Sequence, residues 1–112
     1  MTKTTSLKKN CEFQHVFQMG KTKGSGILVV FVAPNELNVN RLGIPVSKKM
    51  GKAVRRNLLR RRIKEAFRAF EQNLVGGHDI VILPKPDLAT ASFAETKKTL
   101  MYLMKRHGIV NG

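Results

Sequence analysis

The chain has 112 residues, of which 21 are Lys or Arg and 7 are Asp or Glu, so that its formal net charge is +14. This length suits one domain over residues 1–112, and a hydrophobic content of 42% excludes a disordered basic tail. No apolar run approaches the roughly 20 residues of a membrane span, no signal-peptide core is visible, and the single cysteine, Cys11, excludes an internal disulfide. We expect a cytoplasmic protein with no membrane partner.

Apolar periodicity and turn residues divide the chain into elements of the order α-β-β-α-β-α, with room for one further short strand near residues 35–40. In chain order the predictions are a basic arm at residues 1–8, a helix from the N-cap Asn10 to Gly20, a flexible loop Lys21–Gly26, strands Ile27–Ala33 and Val39–Ser47, a helix Lys52–Leu74, a strand His78–Leu83, and a helix from the capping box Ser92–Glu95 to Gly108. This order predicts an α/β (α+β) two-layer sandwich of helices on a small mixed sheet.

The long predicted helix has an apolar side and a basic side. Its apolar stripe consists of Leu59, Ile63, Ala66, Phe67, Phe70 and Leu74. A basic arc of about 100° on the other side contains Asn57, Arg60, Arg61, Lys64 and Arg68. If the stripe docks on the sheet, the basic arc points away from the core, where planar guanidinium groups suit phosphate. Asn57 can read a base edge or a sugar hydroxyl, and it is also compatible with capping the first helical turn.

Positive charge is concentrated around this helix. Residues 48–68 contain ten basic side chains and one acid, Glu65. A field of one sign on a small domain indicates a polyanionic partner. A membrane-surface helix is the main competing interpretation, but such a helix needs a free apolar face, and this one needs its apolar face for the core. Nucleic acid is therefore the expected partner.

The same helix carries the motif Arg56-Asn57-x-x-Arg60-Arg61-x-x-Lys64. The motif resembles the signature R-N-x-x-[KR]-R-x-x-[RK] of the protein component of bacterial ribonuclease P. Flanking stretches also match the family in order and spacing, namely Leu7–Gly20, Arg41–Ile44 and Val46–Val54. The late strand and the final helix match as well, so the resemblance covers nearly the whole chain.

This resemblance implies a fold and a function. The fold is an α/β sandwich whose arginine-rich helix lies in an unusual left-handed β-α-β crossover, against the usual rule. The function is to bind ribonuclease P RNA and the 5′ leader of precursor tRNA, while the RNA component holds the catalytic Mg²⁺ ions. The expected assembly is one protein monomer with one RNA, and no cofactor is expected in the protein.

Two sets of site residues follow from the charge pattern and the resemblance. The predicted RNA-binding residues are Lys48, Lys49, Lys52, Arg56, Asn57, Arg60, Arg61, Lys64 and Arg68. The resemblance implies a leader-binding cleft at Phe13, Phe17 and Val30, because some family members have an aromatic residue where an ungapped comparison puts Val30, while Phe31 would point to the other face. Phe13 and Phe17 are also compatible with ordinary core positions.

The sequence contains no predicted catalytic or metal-binding group of its own. His15, His78 and His107 are dispersed, and the acids show no close pair. A stand-alone nuclease is therefore disfavoured. A ribosomal-type binding module shares the composition but would lack the ordered signature, and a DNA-binding regulator would need a dimer element or helix-turn-helix spacing that is not visible.

Overall fold

A computed structural model describes residues 4–111 as a five-stranded mixed sheet with three α-helices. The helices are α1 (Asn10–Met19), α2 (Ala53–Arg68) and α3 (Phe93–Arg106). The strands are β1 (Thr4–Ser6), β2 (Lys21–Gly24), β3 (Leu28–Pro34), β4 (Asn40–Gly43) and β5 (His78–Pro84). They lie in the order β1-β4-β5-β3-β2, with parallel pairs β1–β4 and β4–β5 and antiparallel pairs β3–β5 and β2–β3. The predicted α+β class with a mixed sheet is confirmed.

Helices cover both faces of this sheet. Side chains alternate along β3, so Leu28, Val30 and Val32 join the large apolar cluster under α2 and α3. Phe31 and Ala33 join a smaller cluster under α1 on the other face. The predicted two-layer sandwich therefore has a third, smaller layer, because α1 packs opposite the other two helices.

The ends of α1 are set by local chemistry. Lys9 is the N-cap rather than the predicted Asn10, and the Glu12 carboxylate accepts the Lys9 backbone N–H at 2.9 Å. At the other end, a Cβ on Gly20 would lie only 2.4 Å from the carbonyl oxygen of Val16. Glycine is therefore required where the helix turns directly into β2.

Neither of the two edge strands was predicted from the sequence. Residues 4–6 of the predicted basic arm form β1, and Lys21–Gly24 of the predicted flexible loop form β2. Residues 1–3 of the arm lie outside the described residues. The further strand predicted near residues 35–40 is wrong, since residues 36–39 form bends. Short polar edge strands carry little apolar periodicity, because neither face is fully covered.

The β4-α2-β5 unit positions the basic helix. Its strands are parallel neighbours joined through α2, and the left-handed crossover remains a prediction. The helix ends at Arg68 instead of the predicted Leu74, because Phe70 leaves helical geometry at φ −139°. Leu74 is nevertheless buried, in a short antiparallel bridge with Val110. The strand predicted at Val39–Ser47 is reduced to β4.

No helix within residues 4–111 is both long enough and apolar enough to cross a bilayer.

Candidate nucleic-acid interface

The two-sided character of α2 is confirmed. All six residues of the predicted apolar stripe are buried. Among the predicted RNA-binding residues, the exposed ones are Lys48, Lys49, Lys52, Asn57, Arg61, Lys64 and Arg68, and the half-buried ones are Arg56 and Arg60. The stripe holds α2 on the sheet, so these polar side chains lie on a rigid outer surface.

Arg60 is the anchored member of this surface. Its Nε donates to the carbonyl oxygen of Ile44 at 3.2 Å, and its Nη1 donates to Oδ1 of Asn57 at 2.8 Å. Asn57 lies inside α2, whose N-cap is Lys52, so the alternative that Asn57 caps the helix is wrong. These two contacts hold the Arg60 side chain in one orientation while leaving other N–H groups of its guanidinium free of these bonds.

A tight turn before α2 presents the basic pair Lys48 and Lys49. The Ser47 hydroxyl accepts the Lys49 backbone N–H at 3.1 Å. Gly51 has φ 123°, which side chains rarely adopt, and a Cβ there would lie 2.6 Å from Cδ of Arg55. The turn therefore needs glycine, and it places both lysines beside the start of α2.

Besides Arg60, two more arginines of α2 are half-buried. Arg62, which was not among the predicted site residues, donates to the carbonyl oxygen of Ala89 at 2.9 Å and ties α2 to the loop before α3. Arg56, which was among them, has a buried Nε with no hydrogen-bond partner in residues 4–111. Arg62 is therefore structural.

An aromatic pair lies between α1 and the sheet. The rings of Phe17 and Phe31 meet edge to face with centroids 5.0 Å apart, and Phe17 is 36% exposed. Val30 is fully buried in the cluster on the opposite face. The prediction of Val30 as a cleft residue is therefore wrong, since a one-residue difference in register exchanges the two sheet faces. Phe31 occupies the face that was assigned to Val30.

Phe13 is partly buried and packs against the same small cluster as Phe31 of the Phe17–Phe31 pair, which we call the aromatic platform. A Cβ on Gly43 would lie 2.4 Å from Cε1 of the Phe13 ring, so the ring packs directly on the bare backbone of β4. Phe13 thus packs against the small cluster, Phe17 contacts Phe31 at its border, and both residues retain some exposure. Both alternatives left open by the sequence apply: these residues pack against the sheet while part of each ring stays accessible.

Sequence reasoning missed an ion-pair network that fastens α1. Arg41 of β4 donates two hydrogen bonds to Asp79 and one to Glu12, all at 2.7 Å. The pKa of Glu12 is lowered by the backbone N–H groups of Lys9 and Lys8 and then by Arg41. Hydrogen bonding to Asp79 raises the pKa of Arg41. The match of Arg41–Ile44 to the family was the sequence feature that pointed to Arg41. Its partners Glu12 and Asp79 become its neighbours only in the folded chain.

A groove of about 410 Å³ runs between β1 and α2. Its polar walls contain Thr4, Thr5 and Ser6 on one side and Arg60, Lys64, Arg68 and Glu71 on the other. Phe13 and the β4 end close it toward α1. Phe13 of α1 thus lines this groove beside the cations of α2, whereas Phe17 and Phe31 lie outside its lining.

The histidines take separate structural or exposed positions. His15 is exposed, and the Nδ1 of His78 lies 3.3 Å from the carbonyl oxygen of Val75. His107 Nε2 lies 2.9 Å from the carbonyl oxygen of Val30, and burial lowers its pKa. Across residues 4–111, no three His, Cys, Asp or Glu side chains are grouped to hold a metal ion. The candidate interface thus offers positive charge beside a groove, together with aromatic rings.

Comparisons with known proteins agree with this geometry. Residues 1–108 match the family model described as Ribonuclease P. The chain is 37% identical over 110 residues to the ribonuclease P protein component of Clostridium botulinum, covering 97% of this chain and 99% of that one. It is 41% identical over 104 residues to the protein component of Caldanaerobacter subterraneus, covering 93% and 90%.

Solved structures agree as well. The RNase P protein of Staphylococcus aureus matches with a TM-score of 0.85 at 30% identity, covering 97% of this chain and 100% of that one. The RNase P protein of Thermotoga maritima matches with a TM-score of 0.82 at 34% identity, covering 90% and 96%. Sequence and fold thus agree, and the chain belongs to the ribonuclease P protein family.

Proposed function

We propose that this chain binds ribonuclease P RNA and the 5′ leader of precursor tRNA, and that it assists removal of the leader. Membership of the family makes it a protein component of an endoribonuclease complex that processes tRNA. The observation that carries the finer proposal is the exposed basic surface of α2 beside a groove lined by Phe13 of α1, the helix that also carries the partly exposed Phe17 of the Phe17–Phe31 pair.

The basic surface suits the RNA component. Arg60 and Arg61 can each donate paired hydrogen bonds to phosphate oxygens, and Lys64 adds a point charge. Lys48 and Lys49 extend the surface ahead of α2. A rigid row of cations neutralises several phosphates at once, so binding should weaken steeply with salt.

The aromatic platform suits the leader. A leader is single-stranded, and its unstacked bases can stack on exposed ring faces beside a positive groove. Phe17 has the required exposure, and Phe31 supports its ring edge to face. We assign the leader to Phe13, Phe17 and Phe31.

In this proposal the RNA component, and not the protein, carries out the cleavage reaction. Catalytic Mg²⁺ is held by the RNA component, and the protein positions the substrate. One protein monomer binds one RNA, and the complex acts in the cytoplasm. A protein with this task needs charge and a groove, whereas a stand-alone nuclease needs its own metal ligands or acid-base pair.

Reconstitution tests the proposal. Purified protein is mixed with a bacterial ribonuclease P RNA at low magnesium, and cleavage of precursor tRNA is followed. We expect stimulation of cleavage at the mature 5′ end by the mixture and no cleavage by protein alone. Cleavage by protein alone would instead support the nuclease alternative.

A basic control protein separates specific assistance from charge screening. A ribosomal protein of similar size and charge is added in place of the chain. Equal stimulation by that protein would contradict the proposal. Tighter binding to a DNA duplex than to the RNA component would support the DNA-regulator alternative.

A further inference from the structure

The groove between β1 and α2 combines two different polar walls with an apolar part lined by Leu7, Leu42, Ile44, Pro45 and Phe67. The α2 wall is cationic, and the β1 wall carries hydroxyl groups. We propose that this groove binds a single-stranded segment of RNA and distinguishes ribose from deoxyribose. The proposal rests on the proposed function for the nature of the ligand, and it adds a sugar-specific site formed by β1.

The cationic wall matches the backbone of an extended strand. Arg60, Lys64 and Arg68 follow one another at every fourth position of α2, which spaces them about 6 Å apart along the helix axis. All three line the groove, and Arg60 is already fixed by its hydrogen bond to Ile44. Glu71 adds a negative charge beyond Arg68. Because it repels phosphate, the strand's phosphate groups should contact only the row of three cations.

The hydroxyl wall matches the sugar. Thr5 and Ser6 are exposed and line the groove. The Thr4 hydroxyl is buried and has no hydrogen-bond partner among residues 4–111. A buried hydroxyl without a partner is costly. A ribose 2′-hydroxyl both donates and accepts, so it can pair with the exposed hydroxyls of Thr5 and Ser6, and it is the group that distinguishes RNA from DNA.

The size and the end of the groove favour a nucleotide segment over a single ion. A volume of about 410 Å³ lies within the range of small-molecule sites. Phe13 lines one end and offers part of a ring to one base. An acidic peptide would also be attracted by the cations, but it would show no dependence on a sugar hydroxyl.

A matched pair of ligands tests the proposal on the unmodified chain. Fluorescent uridine and deoxyuridine hexamers differ only in the 2′-hydroxyl groups, and fluorescence anisotropy measures their binding. We expect the ribose form to bind about 5-fold or more tightly, as one or two neutral hydrogen bonds predict. Equal affinity for both hexamers would overturn the proposal without needing any variant.

Hydroxyl variants then locate the sugar contacts. The double variant Thr5→Val with Ser6→Ala should reduce the ribose preference toward 1 while leaving deoxyuridine affinity within about 2-fold. Thr5→Ser should retain the preference because it keeps the hydroxyl. Thr22→Val, on the opposite edge strand β2, is the matched control. A loss of preference in the control equal to that in the double variant would overturn the assignment to β1.

Charge variants locate the phosphate row. Lys64→Ala should weaken both hexamers and lower the salt slope by about 0.7, the value for one single-strand phosphate contact. Lys97→Ala on α3 is the control, because Lys97 is exposed and does not line the groove. Equal effects of the two variants would overturn the site. Stimulated tRNA cleavage without ribose preference would overturn this inference while leaving the proposed function intact.

Discussion

Arg41 and Asp79 form a bidentate ion pair in which both hydrogen bonds measure 2.7 Å. The pair joins β4 to β5, and Asp79 is only 1% exposed. The third contact of Arg41, to Glu12, extends the connection to the first turn of α1. The helix that carries the aromatic platform is therefore held to the sheet by charge as well as by packing.

Replacing Arg41 should destabilise the fold. Arg41→Ala leaves the Asp79 carboxylate buried without its cation, so we expect a loss of about 2–4 kcal/mol in the free energy of unfolding. Urea denaturation measures it. Lys97→Ala, which removes an exposed charge from α3, should change stability by less than about 0.5 kcal/mol. A loss in Arg41→Ala no larger than in this control would contradict a stabilising role for the network.

The Glu12 carboxylate should make stability depend on acid pH. Its folded-state pKa lies below its usual value of 4.5, chiefly because it accepts backbone N–H groups at the start of α1. The stability it contributes is complete above that usual value and is lost as pH falls through the lower folded-state pKa. The melting temperatures of the wild type and Glu12→Gln should therefore differ at pH 7, and the difference should shrink as the pH falls below 4.5. A constant difference would contradict the prediction.

The aromatic platform should affect leader binding selectively. Phe17→Ala and Phe31→Ala should each lower affinity for precursor tRNA about 5-fold or more, because stacking on one base contributes roughly 1–3 kcal/mol. Affinity for leaderless tRNA should change little. Filter binding with both RNAs, on variants that still unfold cooperatively, measures the difference. Equal losses for the two RNAs would remove these rings from the leader site.

Val30 serves as the control residue for the leader-binding experiment. Because its side chain is fully buried on the opposite face, Val30→Ala should lower the free energy of unfolding by about 1–3 kcal/mol. The ratio of affinities for precursor and leaderless tRNA should stay unchanged in the folded fraction. A selective loss of precursor binding in Val30→Ala would instead support the assignment of Val30 to the leader-binding cleft.

The outer surface of α2 should control the salt dependence of RNA binding. Arg60→Ala and Arg61→Ala should each weaken binding to the RNA component. Each should also lower the slope of log affinity against log salt by about 0.7 to 0.9 per lost phosphate contact. Titration at several salt concentrations gives the slope. An unchanged slope in both variants would contradict the proposed contact surface.

Local patterns predicted the elements with a strong periodicity. The predicted apolar stripe from Leu59 to Leu74 is buried as its spacing indicates, although α2 itself ends at Arg68. The apolar run of β5 and the hydrogen bond from the Glu95 backbone N–H to the Ser92 hydroxyl also follow the sequence. The same patterns failed for β1 and β2, whose polar residues gain their strand conformation from pairing with β4 and β3.

The residues of the motif, the charge of the long helix and the family resemblance can all be derived from the order of amino acids alone. The sequence alone does not tell which of Val30 and Phe31 faces α1. Neighbouring residues of a strand point to opposite faces, and only the pairing of β3 with β5 sets Phe31 on one face and Val30 on the other. The groove beside β1 and the Arg41–Asp79 pair likewise arise only in the folded chain. Each joins residues that are distant in sequence and become neighbours through the sheet.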